Sequence, residues 1–149
     1  MAITAKFDIN KLFAEVSAKI DVVTDSVIEA VQMACGEITN NAKALNTYKD
    51  QTHYLRSSIG FVIYNRGTKI AEGFSSTGGE RGGQGVEAGR KIAEQAAAQY
   101  PNDIVGVIVA AADYALYVES KGYDVISGPC NDLNAILSKY LKIVLDELK

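Results

Sequence analysis

The chain of 149 residues has few of the side chains that build metal sites and disulfide frameworks. It contains no tryptophan, one histidine, two cysteines and two prolines. Cys35 and Cys130 lie far apart in the sequence, and His53 is the one imidazole, so we expect no metal site and no disulfide framework. Fifteen basic residues against eighteen acidic ones give a net charge of −3. That balance argues against a basic nucleic-acid-binding face.

Long hydrophobic runs are also missing. The longest, residues 104–112, is about half the length that a bilayer span requires, and residues 1–6 lack the apolar core of a signal peptide. We therefore expect no membrane association and a protein made in a reducing cytoplasm. With 48% apolar and 22% charged residues, the composition is typical of one globular domain over residues 1–149.

Apolar residues recur every three or four positions through the first third of the chain. This period predicts one amphipathic helix over residues 9–45, with Asp8 as its N-cap and Phe7 and Leu12 as a hydrophobic staple. Unbroken, it would be about 55 Å long, whereas a compact domain of this size is roughly 40 Å across. The helix therefore either breaks at Gly36 or projects and buries its apolar stripe against a partner.

The middle of the chain changes period. Residues 59–64 and 68–74 alternate around a turn at residues 65–67, which predicts a β-hairpin. The glycine-rich segment 75–89 predicts a mobile loop. An alanine-rich helix is expected over residues 86–100, ending at a proline.

The last third of the chain supplies one more strand and one more helix. Residues 103–111 are apolar on both alternating faces, as in a central strand paired with the hairpin. Residues 113–121 fit either a helical turn or an extension of that strand, and residues 123–126 a short extended piece. An amphipathic helix follows from residue 131, with an apolar arc too broad for one contact.

These patterns together predict an α+β fold. Its expected parts are a long N-terminal helix, a small and mostly antiparallel sheet with a β-hairpin and a central apolar strand, an inner helix and a C-terminal amphipathic helix.

The glycine-rich segment does not match a nucleotide-binding motif. A Walker loop requires Lys-Ser or Lys-Thr after its last glycine, but Gly89 precedes Arg90 and Lys91. The spacing of Gly83, Gly85 and Gly89 is one residue too long for a dinucleotide fingerprint. Because His53 also lacks a serine or cysteine motif as a partner, we expect no cofactor and no enzymatic activity.

Two alternative functions stay open. Gly82-Gly83-Gln84 resembles the tripeptide of peptide-release and ribosome-rescue factors, which would imply peptidyl-tRNA hydrolysis, although Glu80 and Glu87 flank it in an acidic chain. A small-molecule binding module is the other alternative, since α+β domains host many functions.

Two segments together resemble one known family. Residues 52–59, Thr-His-Tyr-Leu-Arg-Ser-Ser-Ile, resemble the Thr-Gly-x-Leu-Arg-x-Ser-Ile stretch of the tail-completion, or head-tail joining neck, proteins of long-tailed bacteriophages. Residues 114–122, Tyr-Ala-Leu-Tyr-Val-Glu-Ser-Lys-Gly, resemble the Tyr-Ala-x-Tyr-Val-Glu-x-Gly segment of that family. The order of elements agrees as well. His53 replaces the glycine of the first motif, and Ser120-Lys121-Gly122 replaces the usual Gly-Thr of the second.

The resemblance implies a non-enzymatic virion protein of the neck, made in the bacterial host cytoplasm. It implies a ring of this chain, a hexamer or dodecamer, that joins the portal and adaptor, or head-completion protein, to the tail terminator or tail tube protein. Genomic DNA would pass through the lumen without sequence-specific binding. A cyclic ring requires two different faces of each protomer to meet.

The candidate assembly residues come from the two resembling segments and from the glycine-rich loop. We expect the segment 114–122 to pack structurally rather than to bind a small molecule. The candidates are Leu55, Arg56, Ser58, Tyr114, Tyr117, Glu119, Gly82, Gly83 and Gln84.

Overall fold

The structure is a computed structural model that describes residues 8–149. It has six helices and three strands in the described part of the chain. In chain order they are α1 (Ile9–Lys43), α2 (Tyr54–Ser57), β1 (Ile59–Asn65), β2 (Thr68–Gly73), α3 (Gly82–Ala97), β3 (Ile104–Ala110), α4 (Ala115–Ser120), α5 (Ser127–Asn131) and α6 (Leu133–Asp146). The predicted α+β class is confirmed.

Helix α1 is continuous over 35 residues, so it is about 52 Å long at 1.5 Å per residue. Its N-cap is Asp8, as predicted, because the Asp8 carboxylate accepts a hydrogen bond of 3.2 Å from the backbone N–H of Lys11. The predicted staple falls outside the described side chains. The alternative in which the helix breaks at Gly36 is wrong, since Gly36 lies inside α1.

The predicted hairpin is confirmed and closes through a two-residue turn. Arg66 and Gly67 have φ values of 48° and 81°, and positive φ at both central positions is the geometry that matches the twist of paired strands. Gly67 accepts this conformation without a side-chain clash, whereas Arg66 adopts it at some cost.

The three strands form one antiparallel sheet in the order β2-β1-β3. Strand β3 pairs with the hairpin as predicted, but it lies at the edge, and β1 is the central strand. The apolar residues of β3 alternate between two covered faces: Ile104 and Ile108 face α1, while Val105, Val107 and Val109 face α3. Because both faces of β3 are covered, its apolar pattern is that of a central strand although it lies at the edge of the sheet.

The glycine-rich segment is mostly helical, which corrects the loop predicted over residues 75–89. Helix α3 begins at Gly82 and ends at Ala97, before the predicted end at residue 100. The buried glycines of α3 lie against α2 and the residue that follows it. A Cβ at Gly85 would lie 2.3 Å from the carbonyl oxygen of Tyr54, and one at Gly89 would lie 2.5 Å from that of Ser58. Close approach between backbones therefore outweighs the low helix propensity of glycine.

The C-terminal third differs in detail from the prediction. Residues 113–121 contain helix α4, so the alternative of a longer β3 is wrong, and residues 123–126 form no strand. Helix α6 packs along α1. There Glu37 accepts hydrogen bonds of 2.9 Å from Nζ of Lys139 and 2.5 Å from the hydroxyl of Tyr140.

Candidate functional site

The two segments that resemble phage neck proteins meet in one joint. Leu55 and Ile59 from the first segment pack with Ala112 and Ala115, which lie beside and within the second, in a single buried cluster. The rings of Tyr54 and Tyr114 are 6.4 Å apart. About sixty residues of sequence separate the segments, so their contact is a property of the folded chain.

Ser58 connects the two segments through its hydroxyl group. This fully buried side chain donates a hydrogen bond of 2.7 Å to the carbonyl oxygen of Leu55. It accepts bonds of 3.0 and 3.2 Å from the backbone N–H groups of Ala111 and Ala112. These two residues directly follow the end of β3. Ser58 therefore fixes the point at which the strand ends and the chain turns toward α4.

Arg56 supports the same joint from the other side. Its guanidinium donates a bond of 2.8 Å to the carbonyl oxygen of Leu45 and lies 5.3 Å from the centre of the Tyr48 ring. Its backbone N–H donates a bond of 2.7 Å to the Asp50 carboxylate. The predicted candidates Leu55, Arg56 and Ser58 thus contact their own protomer.

His53 stands where the resembled motif has glycine, and its backbone has the conformation that favours glycine. Its φ of 60° is in the left-handed region, where other residues pay a steric cost. Nδ1 of His53 lies 3.1 Å from the hydroxyl oxygen of Thr77, and that hydroxyl lies 3.0 Å from the Ser57 hydroxyl. The imidazole therefore anchors the segment before α3.

Glu119 holds the chain between α4 and α5. One carboxylate oxygen accepts hydrogen bonds from the backbone N–H groups of Val125, Ile126 and Ser127 at 3.2, 2.8 and 2.9 Å. The other accepts a bond of 2.6 Å from the Ser127 hydroxyl. Burial alone would raise the pKa of Glu119, but these bonds outweigh burial and hold the pKa below the ordinary value of a glutamate.

The tripeptide 82–84 occupies the first turn of α3 rather than an extended loop. Gly82 is buried, and a Cβ there would lie 2.2 Å from the Ser76 hydroxyl oxygen. Gly83 is exposed with open space around it. The side-chain oxygen of Gln84 accepts a hydrogen bond of 2.9 Å from Nε of Arg81. The remaining loop is attached to the body through Thr77 and Ser57.

Tyr117, an exposed tyrosine of the second segment, borders a groove of about 770 Å³. Tyr117 is 63% exposed, and the ammonium group of Lys121 lies 5.2 Å from the centre of its ring. Tyr114 is 40% exposed. No acidic residue is among those lining this groove: Asn46, Thr47, Tyr48, Lys49, Tyr117, Val118, Lys121 and Tyr123.

A bare apolar surface lies on the N-terminal half of α1. We call its four residues the N-terminal stripe: Phe13, Val16, Ile20 and Val23. They are 66, 46, 58 and 45% exposed, and at 3.6 residues per turn they share one face of the helix. From Ile28 onward the same face is covered by the sheet and by α6. The body of the protein therefore buries only the C-terminal half of α1, although Ile20 borders a groove that Arg66 and Asp103 also line.

A second unfilled surface lies between the outer edge of the sheet and the start of α6. We call it the β3/α6 groove. Its volume is about 430 Å³. It is lined by Val31, Ala34, Cys35, Ile104, Val105, Gly106, Ile108, Cys130, Leu133 and Leu137, none of which carries a charge.

Both cysteines border this groove. Burial, together with the neighbouring Cys130, raises the pKa of the Cys35 thiol to about 11. Burial also raises the pKa of the Cys130 thiol, with smaller contributions from Glu119 and Asp124. Both are free thiols. Because thiolates are the reactive species, both are poor nucleophiles near neutral pH.

Sequence reasoning found the stripe but missed the groove. The sequence pattern places Leu133 and Leu137 in the broad apolar arc of the C-terminal helix, and Ile104 and Ile108 in a strand that is covered on both faces. The one signal was the apolar arc of α6, which is broader than a single helix contact requires. The open edge of β3 has no sequence signature, since edge and central strands covered on both faces have the same composition.

Within residues 8–149, no group of three or more His, Cys, Asp or Glu side chains is arranged to hold a metal ion. The described helices include none that combines the length and apolarity needed to cross a bilayer. Comparison with family models, curated proteins and solved structures found no match to this chain.

Proposed function

We propose that this chain is a non-enzymatic structural protein of a bacteriophage head-tail connector, which assembles into a ring between the portal complex and the tail. The observation that carries the proposal is the bare N-terminal half of α1. A helix that leaves its own domain with four exposed apolar residues on one face requires a partner to bury them.

The joint between the two resembling segments supports the same function. Short motifs match by chance when they are scattered, but here Leu55, Ser58 and Ala115 belong to one packed unit. His53 also has the positive φ that the glycine of the resembled motif accommodates. The resembling residues therefore contact one another within this chain, which supports the proposal.

The charge of the chain fits a DNA channel. With a net charge of −3 and basic residues dispersed through the sequence, the ring would offer passing DNA no dense cationic surface on which to stall. Attachment to the head and the tail would use protein contacts, for which the exposed Tyr114, Tyr117 and Leu116 are available.

The test is light scattering on the purified full chain, coupled to negative-stain imaging of the same fractions at low and moderate salt. We expect a concentration-dependent ring with an open centre. Apolar contacts persist as salt rises, so moderate salt should not dissolve it. A protein that stays monomeric up to its solubility limit at both salt concentrations would contradict the proposal.

A further inference from the structure

We propose that the N-terminal stripe of one copy of this chain docks in the β3/α6 groove of a second copy. The inference deepens the proposed function, because it names the two faces that meet in the ring. The contact itself requires only a second copy, so it can be tested apart from the number of copies in the ring.

The spacing of the stripe fits docking along a single seam. Phe13, Val16, Ile20 and Val23 follow intervals of three, four and three residues, which keep one line of side chains facing a partner. On one flank of this line lie Ser17 and Thr24. Lys19 lies on the other flank, and the four remaining charged residues of this half of the helix lie outside the seam: Lys11, Glu15, Asp21 and Asp25. Burying the seam therefore desolvates no charge on its own four residues, and Lys19 at its edge is long enough to keep its ammonium group in solvent.

The groove has the matching character. Its floor is the continuation of α1 at Val31, Ala34 and Cys35, and its walls are the outer part of β3 and the first turns of α6. Each of the four other grooves described on this chain includes at least one charged residue. An uncharged ridge and an uncharged groove on the same protomer satisfy each other without leaving a desolvated ion.

The protomer cannot fill its own groove. The stripe is centred near residue 18 and the floor of the groove near residue 33, which is about 22 Å further along a continuous helix. A rigid helix cannot fold back over that distance. The occupant is therefore another molecule. When each copy inserts its stripe into a neighbour's groove and receives another neighbour's stripe in its own, the contact is heterologous.

The expected area places this contact at the lower end of stable interfaces. Half the circumference of a helix over residues 8–23 corresponds to on the order of 500 Å² of accessible surface, so the two copies together bury about 1,000 Å² against 1,200–2,000 Å² for a standard interface. A single pair should be weak. Ring closure, in which each copy makes two such contacts, would then favour the full assembly over dimers.

The native Cys130 allows a direct test by disulfide cross-linking of the full chain. Val16→Cys places a thiol in the stripe, about 28 Å along α1 from Cys35 on the floor of the groove. A disulfide requires Cα atoms within about 7 Å, so any bond between position 16 and Cys130 must join two copies. Oxidation at about pH 9 compensates for the raised pKa of Cys130.

We expect V16C to give a ladder of oligomers on non-reducing gels, with the peptide around position 16 linked to that around Cys130 by mass spectrometry. The ladder should vanish in V16C/C130S. The matched control is Ala18→Cys, which lies on the opposite side of the helix and should give no link to Cys130. All three variants alter exposed or half-buried positions, and circular dichroism checks that they are folded.

The possible cross-linking results distinguish the stripe–groove contact from the formation of a ring. Linkage of position 16 to Cys130 that stops at dimers supports the docking but contradicts the ring. Bonds only between two thiols at position 16 overturn the docking in favour of stripe against stripe. Absence of any link at high protein concentration, or equal linkage from A18C, overturns the inference as well.

Discussion

At the scale of single residues, the first resembling segment contains a residue, His53, whose backbone conformation is unfavourable for its side chain. His53 forms its hydrogen bond with Thr77 while its φ of 60° costs about 1–2 kcal/mol relative to a residue that accepts the left-handed region. Substitution by glycine and by alanine removes the imidazole equally. Apart from the general effect of glycine on the unfolded chain, the two variants differ in how well they tolerate that φ.

We expect His53→Gly to be more stable than His53→Ala by about 1 kcal/mol. Urea unfolding followed by circular dichroism measures the difference. Equal midpoints for the two variants would show that the left-handed conformation carries no cost here, and would remove one support for the resemblance. Gln51→Gly against Gln51→Ala, at an exposed position nearby, is the control for the general effect of glycine on the unfolded chain.

Glu119 is the residue whose charge matters most in the second segment. Its ionised carboxylate accepts four hydrogen bonds from Val125, Ile126 and Ser127. We expect Glu119→Gln to lower the free energy of unfolding by about 1–2 kcal/mol at neutral pH, because bonds to a charged acceptor are stronger than those to an amide. Glu80→Gln, at an exposed position, is the matched control.

The pH dependence of that difference has a defined sign. The pKa of Glu119 is lowered in the folded state, so its stabilising contribution is complete above the ordinary glutamate pKa of about 4.3 and is lost as the pH falls through the folded value. The gap between wild type and E119Q should therefore be constant from about pH 5 to 8 and shrink below about pH 4. A gap that does not change with pH would assign the effect to packing rather than to charge.

At the scale of secondary-structure elements, the sequence predicted those whose local and tertiary preferences agree. The period of α1, the cap at Asp8 and the turn at Gly67 are local signals, and each was confirmed. The start of α3 at Gly82 was missed because its stability comes from contact with residues 54–58, which no local pattern encodes. The edge position of β3 was missed for the same reason: α1 and α3 both cover it.

The glycines of α3 give a test with two opposite signs. Gly85→Ala would place its Cβ 2.3 Å from the carbonyl oxygen of Tyr54, so we expect a loss of about 2–3 kcal/mol as the helix is forced outward. Gly83→Ala has nothing within 4 Å and should gain up to about 1 kcal/mol. Thermal and urea unfolding measure both. A destabilising G83A would indicate that this turn is not helical in solution.

At the scale of the whole molecule, folding and assembly use different parts of α1. The core begins at Ile28 and includes Ala34 and Ile38 on the same helix. The half before it contributes exposed side chains and no buried cluster among the described residues. Because little of the free energy of folding depends on that half, substitutions there can change association without unfolding the protomer. The sequence predicted this alternative through length alone, since a helix longer than its domain must project.

The separate roles of the two halves of α1 in folding and in assembly can be tested with the double variant Phe13→Glu/Ile20→Glu. The double variant puts two charges in the N-terminal stripe at positions that are 66 and 58% exposed, so we expect the free energy of unfolding of the protomer to change by less than about 0.5 kcal/mol. Glutamate is also a good helix former. Assembly should be lost, since the seam would bury unpaired charges.

Val22→Glu is the matched control, because Val22 is 50% exposed but lies away from the stripe. Light scattering and urea unfolding on the three proteins decide the matter: a double variant that still assembles, or one that unfolds the protomer, would show that the N-terminal half of α1 is not a dedicated assembly element.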